Sequence, residues 1–343
     1  NKGNTMRITK ILVALSFLFA VSTANAGEMT VTGSMETTYN SQGGSSTGNP
    51  LGIDRELKFS GTTELDNGMT VTIMQDTNDS LAYGDSKITF GNVAGMLDVY
   101  VGADGSPVDA IDDVTPSAYE EAWGSGSGTI NDIGDLAGEM GIGVVVTLPI
   151  VGTLDAKYIP KADGNESADN ANSANANATV GSGESYSLKT DMSALPVVGN
   201  YLSGLTLTTG YETKEVENLA GTDDSHDLTA ALNFSAGNFA VGIQRKSHQE
   251  GQALTTSDNV NYKDLAIGLV YNVNDALAVS YNRYESARHA DATVNPEQEI
   301  TAINVGYTVG GMTIGLQDAE TDNANWVVDA KDDSRTIGIS VAF

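Results

Sequence analysis

The chain has no cysteine and only three histidines among its 343 residues. Without cysteine it can have neither a disulfide scaffold nor a thiolate metal centre. Basic residues are also few, because 17 Lys and Arg stand against 45 Asp and Glu, which gives a formal net charge of −28. Nucleic-acid binding requires clustered Lys and Arg on the phosphates, so this charge argues against a nucleic-acid partner.

The sequence also lacks an apolar run of the roughly 20 residues that a membrane-spanning helix requires. The apolar segment Ile11–Val21 is shorter, follows two basic residues and precedes a small-x-small site that ends at Ala26. These features predict a secretory signal peptide. We expect residues 1–26, upstream residues and signal peptide together, to be removed, and residues 27–343 to form the exported domain.

From Glu28 to the C-terminus, apolar and polar residues alternate with period two, which predicts β-strands. Sixteen segments show the alternation, and tight turns such as Asp66-Asn67-Gly68 alternate with long polar connections. The predicted strands are Glu28–Asn40, Ile53–Leu65, Met69–Asn78, Asp85–Gly91, Met96–Ala103, Met140–Leu148, Thr153–Pro160, Ser185–Met192, Gly204–Glu215, His226–Ser235, Asn238–His248, Asn259–Asn272, Ala276–Ser286, Gln298–Val309, Met312–Ala319 and Ser334–Phe343.

Within each segment one parity is apolar, as at Leu57 and Phe59, and the other carries Asp, Asn, Thr, Ser, Gly and isolated lysines. A packed interior would need large aliphatic side chains on the second parity, so that face is expected to line water. Apolar-out and polar-in alternation, an even strand number and one side of long loops are typical of an outer-membrane barrel. We therefore predict an all-β fold, a closed transmembrane antiparallel β-barrel whose sixteen strands leave an aqueous lumen.

One connection, Asp104–Glu139, is much longer than the others and acidic, with no Lys or Arg between Lys87 and Lys157. The composition of this segment by itself predicts a solvated acidic loop. An insertion of this length without regular structure is usually functional, and the surrounding strands favour that interpretation. Thr115 and Pro116 predict the start of a short helix over Ser117–Trp123.

Three stretches resemble Gram-negative general porins, closest to the alphaproteobacterial type. Arg55–Thr70 is similar to that family's second strand, periplasmic turn and third strand, and Phe90–Val93 is similar to the approach to its constriction loop. The last strand ends at Phe343 and resembles the C-terminal signal that the barrel assembly machinery reads. The resemblance implies a homotrimer in outer-membrane lipid and lipopolysaccharide, with the third external loop, residues 104–139, folded into the lumen.

In such porins an acidic loop faces basic residues of the barrel wall. The acidic candidates are Asp104, Asp109, Asp112, Asp113, Glu120 and Glu121. The lysines that the parity turns inward are Lys58, Lys87, Lys157, Lys189, Lys214 and Lys246. The acidic excess favours cations. The resemblance also suggests structural calcium at Asp112, Asp113, Glu120 and Glu121, although their spacing matches no EF-hand loop.

The histidines offer little support for an enzyme. His226, His248 and His289 lie at external strand ends or in loops, and we interpret the one sequence pair, His226-Asp227, as an exposed strand end. The predicted function is passive diffusion of small hydrophilic solutes and ions through the outer membrane, with weak cation selectivity. A substrate-selective porin and a structural or adhesive barrel with surface-binding loops remain alternatives.

Overall fold

The computed structural model describes residues 28–43, 48–77, 82–125, 127–128, 130, 132–162, 180–216, 223–251, 260–290 and 293–343. The predicted signal peptide lies outside these residues. Helical structure in the described ranges is limited to 3₁₀ turns at Asp109–Ile111, Ala122–Ser125, Met192–Ala194, Gly199–Tyr201 and Ala324–Trp326. No helix in these ranges has the length and apolar character needed to cross a membrane.

The described part of the chain forms seventeen strands, one of them only two residues long. They are β1 Glu28–Gln42, β2 Leu51–Glu64, β3 Thr70–Thr77, β4 Tyr83–Val93, β5 Leu97–Ala103, β6 Met140–Leu148, β7 Gly152–Ile159, β8 Val180–Asp191, β9 Leu205–Val216, β10 Ser225–Ala236, β11 Phe239–Gln249, β12 Asn261–Asn272, β13 Leu277–Ala290, β14 Thr293–Val294, β15 Gln298–Val309, β16 Met312–Asp322 and β17 Lys331–Ala342. Every predicted strand has a counterpart among them.

The sixteen long strands form one closed antiparallel sheet. Each pairs with its neighbours along the chain, β13 pairs directly with β15, and the short β14 only extends the β13 end. β1 also pairs with β17, with Ser34 opposite Ala342, and Phe343 exchanges two backbone hydrogen bonds with Gly33 (3.1 and 3.0 Å). Closure leaves no sheet edge exposed to lipid. The predicted sixteen-stranded barrel is confirmed.

The two faces of the barrel differ in polarity because the side chains alternate across each strand. Exposed apolar residues of the outer face include Val31, Phe59, Ile73, Leu232, Ile243, Leu269, Ile303 and Ile337. Buried polar residues of the inner face include Ser185, Glu212, Asp227, Gln244, Asn282, Asn304 and Gln317. These inner residues are buried because another part of the chain packs against them inside the barrel.

Candidate functional site

The segment that covers the inner face is Asp104–Glu139, which joins β5 to β6 and is called the inner loop below. It begins at Asp104, whose carboxylate accepts hydrogen bonds from Nζ of Lys87 (2.6 Å) and Lys157 (3.2 Å). The backbone carbonyl of Asp104 accepts from Nζ of Lys157 (2.8 Å) and from the amide of Gly138 (3.1 Å). These bonds hold both ends of the inner loop beside β4 and β7.

Glu212 of β9 joins the two limbs of the inner loop. Its carboxylate accepts from the Ser106 hydroxyl (2.5 Å) near the start of the inner loop, the outgoing limb, and from the Leu136 amide (2.8 Å) near its end, the returning limb. The amide of Val108 donates to Ser185 Oγ (3.1 Å) on the adjacent β8. Glu212 is almost fully buried, so these bonds replace the water that its carboxylate would otherwise bind.

The middle of the inner loop crosses β10 to β13, and polar wall side chains bind its backbone. Val114 N–H donates to Gln244 (3.0 Å), Asn233 donates to Val114 C=O (2.7 Å), Asn282 donates to Pro116 C=O (3.0 Å) and Ala118 N–H donates to Ser280 Oγ (3.0 Å). The predicted helix over Ser117–Trp123 is wrong. Hydrogen bonds to the wall take the place of helical ones. In this part of the loop only the 3₁₀ turn Ala122–Ser125 has helical geometry.

Glycines on the inner face allow this close approach. A Cβ atom on Gly268 would overlap the carbonyl oxygen of Pro116, and one on Gly306 would overlap that of Ala118. The loop backbone therefore lies directly on the wall where a side chain would otherwise stand. The charge pattern of the sequence did not predict this path of the inner loop. Its signal, glycine at inward positions of successive strands, is nevertheless present in the sequence.

Tyr119 connects the inner loop to the first strand. Its hydroxyl donates to the Glu36 carboxylate of β1 (2.5 Å). Its ring lies over Gly315 and Gly338, where added Cβ atoms would overlap it. The inner loop thus reaches the wall strands on both sides of the barrel closure.

An apolar cluster attaches the next part of the loop. Ala122 and Trp123 pack against Tyr284 and Ile300, with the Trp123 and Tyr284 ring centroids 5.5 Å apart. Nζ of Lys246 lies 5.4 Å from the Trp123 ring centroid. A cation over an aromatic face is favourable, so this lysine also fastens the loop to the wall.

The returning limb meets β10 and β11. The amide of Gly134 donates to Asp227 Oδ2 (2.9 Å), and Asp227 Oδ1 lies 2.5 Å from His248 Nδ1. Asp227 and His248 are directly opposite in the register and both are buried. His226 faces outward at the start of β10, as predicted for an exposed strand end, whereas Asp227 points into the barrel, because adjacent residues of a strand point to opposite faces.

The inward side chains of β1 and β2 are more exposed than those of β9 to β16. Thr32 and Lys58 are exposed, whereas Gln244 and Asn304 are fully buried. A cavity between the inner loop and these first strands is lined in part by Glu36, Asp54, Tyr119 and Glu120. The open part of the lumen therefore lies between the edge of the inner loop and the wall of the first strands.

Several acids of the inner loop have raised pKa values. Burial raises the pKa of Asp109 to about 6, and the carboxylate of Asp132 adds to the effect. Burial also raises the pKa of Glu120 to about 7, with a contribution from Glu36, and that of Glu121 to about 7. The charge of the loop consequently changes near neutral pH.

The six predicted lysines all lie on the inward parity. Lys87 and Lys157 bind Asp104, Lys246 binds Asp132 (3.3 Å), Lys58 and Lys189 are exposed, and Lys214 is half-buried. Three of them therefore hold the inner loop in place, and Lys58, on β2, belongs to the wall beside the open lumen. That these lysines and the loop acids form a constriction stays a prediction.

The resemblance to general porins suggests calcium at Asp112, Asp113, Glu120 and Glu121, and Asp113 lies near enough to Glu120 and Glu121 to interact with them electrostatically. Asp112 lies with Asp113 and Asp132, and burial together with these two carboxylates raises its pKa well above the ordinary range. Glu120 lies beside Glu36 and Asp54. Calcium at this set stays a prediction. Among the described residues, one group of three acids or histidines has all its ligand atoms within 4.8 Å of one another, Asp135, Asp227 and His248.

Comparisons with known proteins agree with this architecture. A family model described as Gram-negative porin matches residues 12–325. No curated protein matches the chain by sequence. Solved structures do match it. In vitro folded OmpT of Vibrio cholerae in its trimer form has a TM-score of 0.65 at 10% identity, covering 93% of this chain and 100% of that one.

Two further structures are similar. The anion-selective porin from Comamonas acidovorans has a TM-score of 0.65 at 13% identity, covering 92% of this chain and 100% of its own. Salmonella typhi OmpF in complex with daunomycin has a TM-score of 0.62 at 11% identity, covering 93% and 98%. At these identities the likeness shows the fold, and the ion selectivity of each protein depends on its own lumen residues.

Proposed function

Because the chain belongs to the Gram-negative porin family, we propose that it is a passive, weakly cation-selective channel for small hydrophilic solutes and ions. The family and the closed barrel indicate the outer membrane and a diffusion channel. The observation that carries the proposal of selectivity is the acidic inner loop beside the exposed inner wall of β1 and β2.

Charges on the two sides of the open lumen support cation preference. The loop side offers Asp113 and Glu120, and the wall side offers Asp54 and Glu56 together with Lys58. Acidic groups outnumber basic ones on this path, and acidic rings in a pore attract cations and repel anions. The preference is expected to be weak because these groups remain in contact with water, which screens them.

The position of the inner loop supports a channel over an adhesive barrel, in which the loop would be displayed outward. Assembly as a homotrimer is proposed by analogy with the trimer form of Vibrio cholerae OmpT. Lipopolysaccharide and outer-membrane lipid are the proposed surroundings of the apolar outer face. The terminal Phe343, which closes the barrel on Gly33, is the proposed signal for the barrel assembly machinery.

Planar-bilayer recordings on the purified protein test the proposal. Stepwise conductance and a reversal potential of cationic sign in a potassium chloride gradient are expected. Neutralising Asp109, Asp112, Asp113, Glu120 and Glu121 to Asn and Gln should lower the cation preference, most strongly at low salt, where the Debye length is about 10 Å at 0.1 M.

The matched control neutralises Asp163, Glu166 and Asp169, which belong to the long polar connection 161–184 that the alternation of short and long connections predicts on the external side and which lie outside the described residues. A much smaller shift is expected. Equal shifts from the two variants would mean that overall acidity sets the selectivity. Absence of stepwise conductance, or chloride preference, would contradict the proposal. Block by one solute but not by unrelated solutes would favour a substrate-selective porin.

A further inference from the structure

We propose that Asp135, Asp227 and His248 form a binding site for a zinc-class transition-metal dication that joins the inner loop to the barrel wall. Asp135 belongs to the loop, Asp227 to β10 and His248 to β11. The inference is independent of the proposed ion selectivity, because it concerns a site between the loop and the wall rather than the open lumen.

The three side chains are already close together. One ligand atom from each lies within 4.8 Å of the other two. Metal–ligand bonds of about 2.1 Å in a tetrahedral site place ligand atoms roughly 3.4 Å apart, so Asp135 must shift slightly and the Asp227–His248 pair must open from 2.5 Å to about that distance. The ion would replace the hydrogen that now lies between Asp227 Oδ1 and His248 Nδ1 (2.5 Å).

Neighbouring groups fix the two wall ligands. Asp227 Oδ2 accepts from the amide of Gly134 (2.9 Å), which orients its carboxylate. The imidazole of His248 lies against the ring of Tyr262, with centroids 6.2 Å apart, and Tyr262 packs on Trp326. Such supporting contacts reduce the ordering that a metal site would otherwise require.

The donor set selects the class of metal. One imidazole nitrogen and two carboxylate oxygens suit zinc and neighbouring transition metals, whereas calcium takes six to eight oxygens. Three protein ligands leave a position for water, which reaches the site past Asp135. Glu212 interacts electrostatically with Asp227 and Glu250 with His248, which favours a cation, whereas the positive charge of Lys214 interacts with Asp135 and opposes it.

Binding of Zn²⁺ alone to the purified, folded full chain, measured by equilibrium dialysis, tests the site. The wild type is expected to bind one Zn²⁺ per chain at this site, and Asp135→Asn and His248→Gln are each expected to weaken binding at least about tenfold. His226→Gln is the matched control, because His226 lies one residue from Asp227 but faces outward beside Tyr211. It should leave the affinity unchanged.

Asp135→Asn is the decisive variant, because Asp135 is exposed and its replacement spares the buried Asp227–His248 pair. Co²⁺ in place of Zn²⁺ should give the absorption of a four- or five-coordinate site in the wild type and lose it in Asp135→Asn. Zn²⁺ binding that is equal in wild type and Asp135→Asn, or that His226→Gln removes, would overturn the proposal. Bilayer selectivity measured without metal tests the proposed function separately.

Discussion

Lys157 and Asp104 form a buried ion pair at the point where the inner loop leaves the barrel wall. Nζ of Lys157 lies 3.2 Å from the Asp104 carboxylate and 2.8 Å from its backbone carbonyl oxygen, and the lysine side chain has no exposed surface. Lys87 binds the other carboxylate oxygen at 2.6 Å. Removing Lys157 would leave Asp104 paired with Lys87 alone, and the loss of a hydrogen bond to a charged group costs about 1.5–3 kcal/mol.

Lys157→Met should therefore loosen the base of the inner loop without unfolding the barrel, whose strand ladder is intact. The Gly138 amide, which donates to Asp104, should exchange with deuterium at least about tenfold faster, since 1.5 kcal/mol corresponds to roughly that factor. Lys189→Met, an exposed lysine of the next strand, is the control. Unchanged exchange in Lys157→Met would show that the pair does not hold the loop.

The inward glycines provide a second test. Gly306→Ala places a methyl group where the Ala118 carbonyl oxygen lies, so the loop must move away from β15. Overpacking of this kind costs about 1–3 kcal/mol. We expect a changed single-channel conductance with an unchanged β-sheet circular dichroism spectrum. Gly61→Ala, whose added Cβ would make an ordinary 3.5 Å contact on the outer face, should match the wild type.

The hydrogen bond between Tyr119 and Glu36 can be removed without removing the ring. Tyr119→Phe leaves the ring over Gly315 and Gly338 but deletes the bond to a charged acceptor, which is worth about 1.5–3 kcal/mol. The part of the inner loop around Tyr119 should then separate from β1 more often and produce larger current fluctuations. Fluctuations equal to those of the wild type would assign the anchoring to the ring alone.

The barrel could be predicted from sequence because its signal is local. Every strand repeats the same period-two pattern, and a one-residue shift would turn its apolar face into the lumen. The path of the inner loop could not be predicted in the same way. It depends on the strand register, which brings Asp227 opposite His248, and on wall groups such as Gln244 that bind the loop backbone from about 130 residues away. Local helix signals at Thr115 and Pro116 were overridden by these bonds.

The charge of the inner loop should make ion selectivity depend on pH. Burial raises the pKa of Asp109 to about 6 and those of Glu120 and Glu121 to about 7, so these carboxyl groups lose their charge as pH falls through those values. Cation preference should be greatest near about pH 8 and decline toward about pH 5, whereas carboxyl groups with ordinary pKa values near 4 would keep it nearly constant over that range. Reversal potentials in a potassium chloride gradient measure this directly.

The raised pKa values of Glu120 and Glu121 also determine how pH affects the packing of the inner loop against the wall. A carboxyl group whose pKa is higher in the packed loop than in the free loop stabilises the packed form at low pH, and that contribution is lost as pH rises through about 7. The variant Glu120→Gln with Glu121→Gln should therefore flatten both effects, the fall in selectivity below about pH 7 and the rise in current fluctuations as pH increases from about 4.5 to about 7. A selectivity that stays constant from about pH 8 to about pH 5 in the wild type would mean that these acids lie outside the ion path.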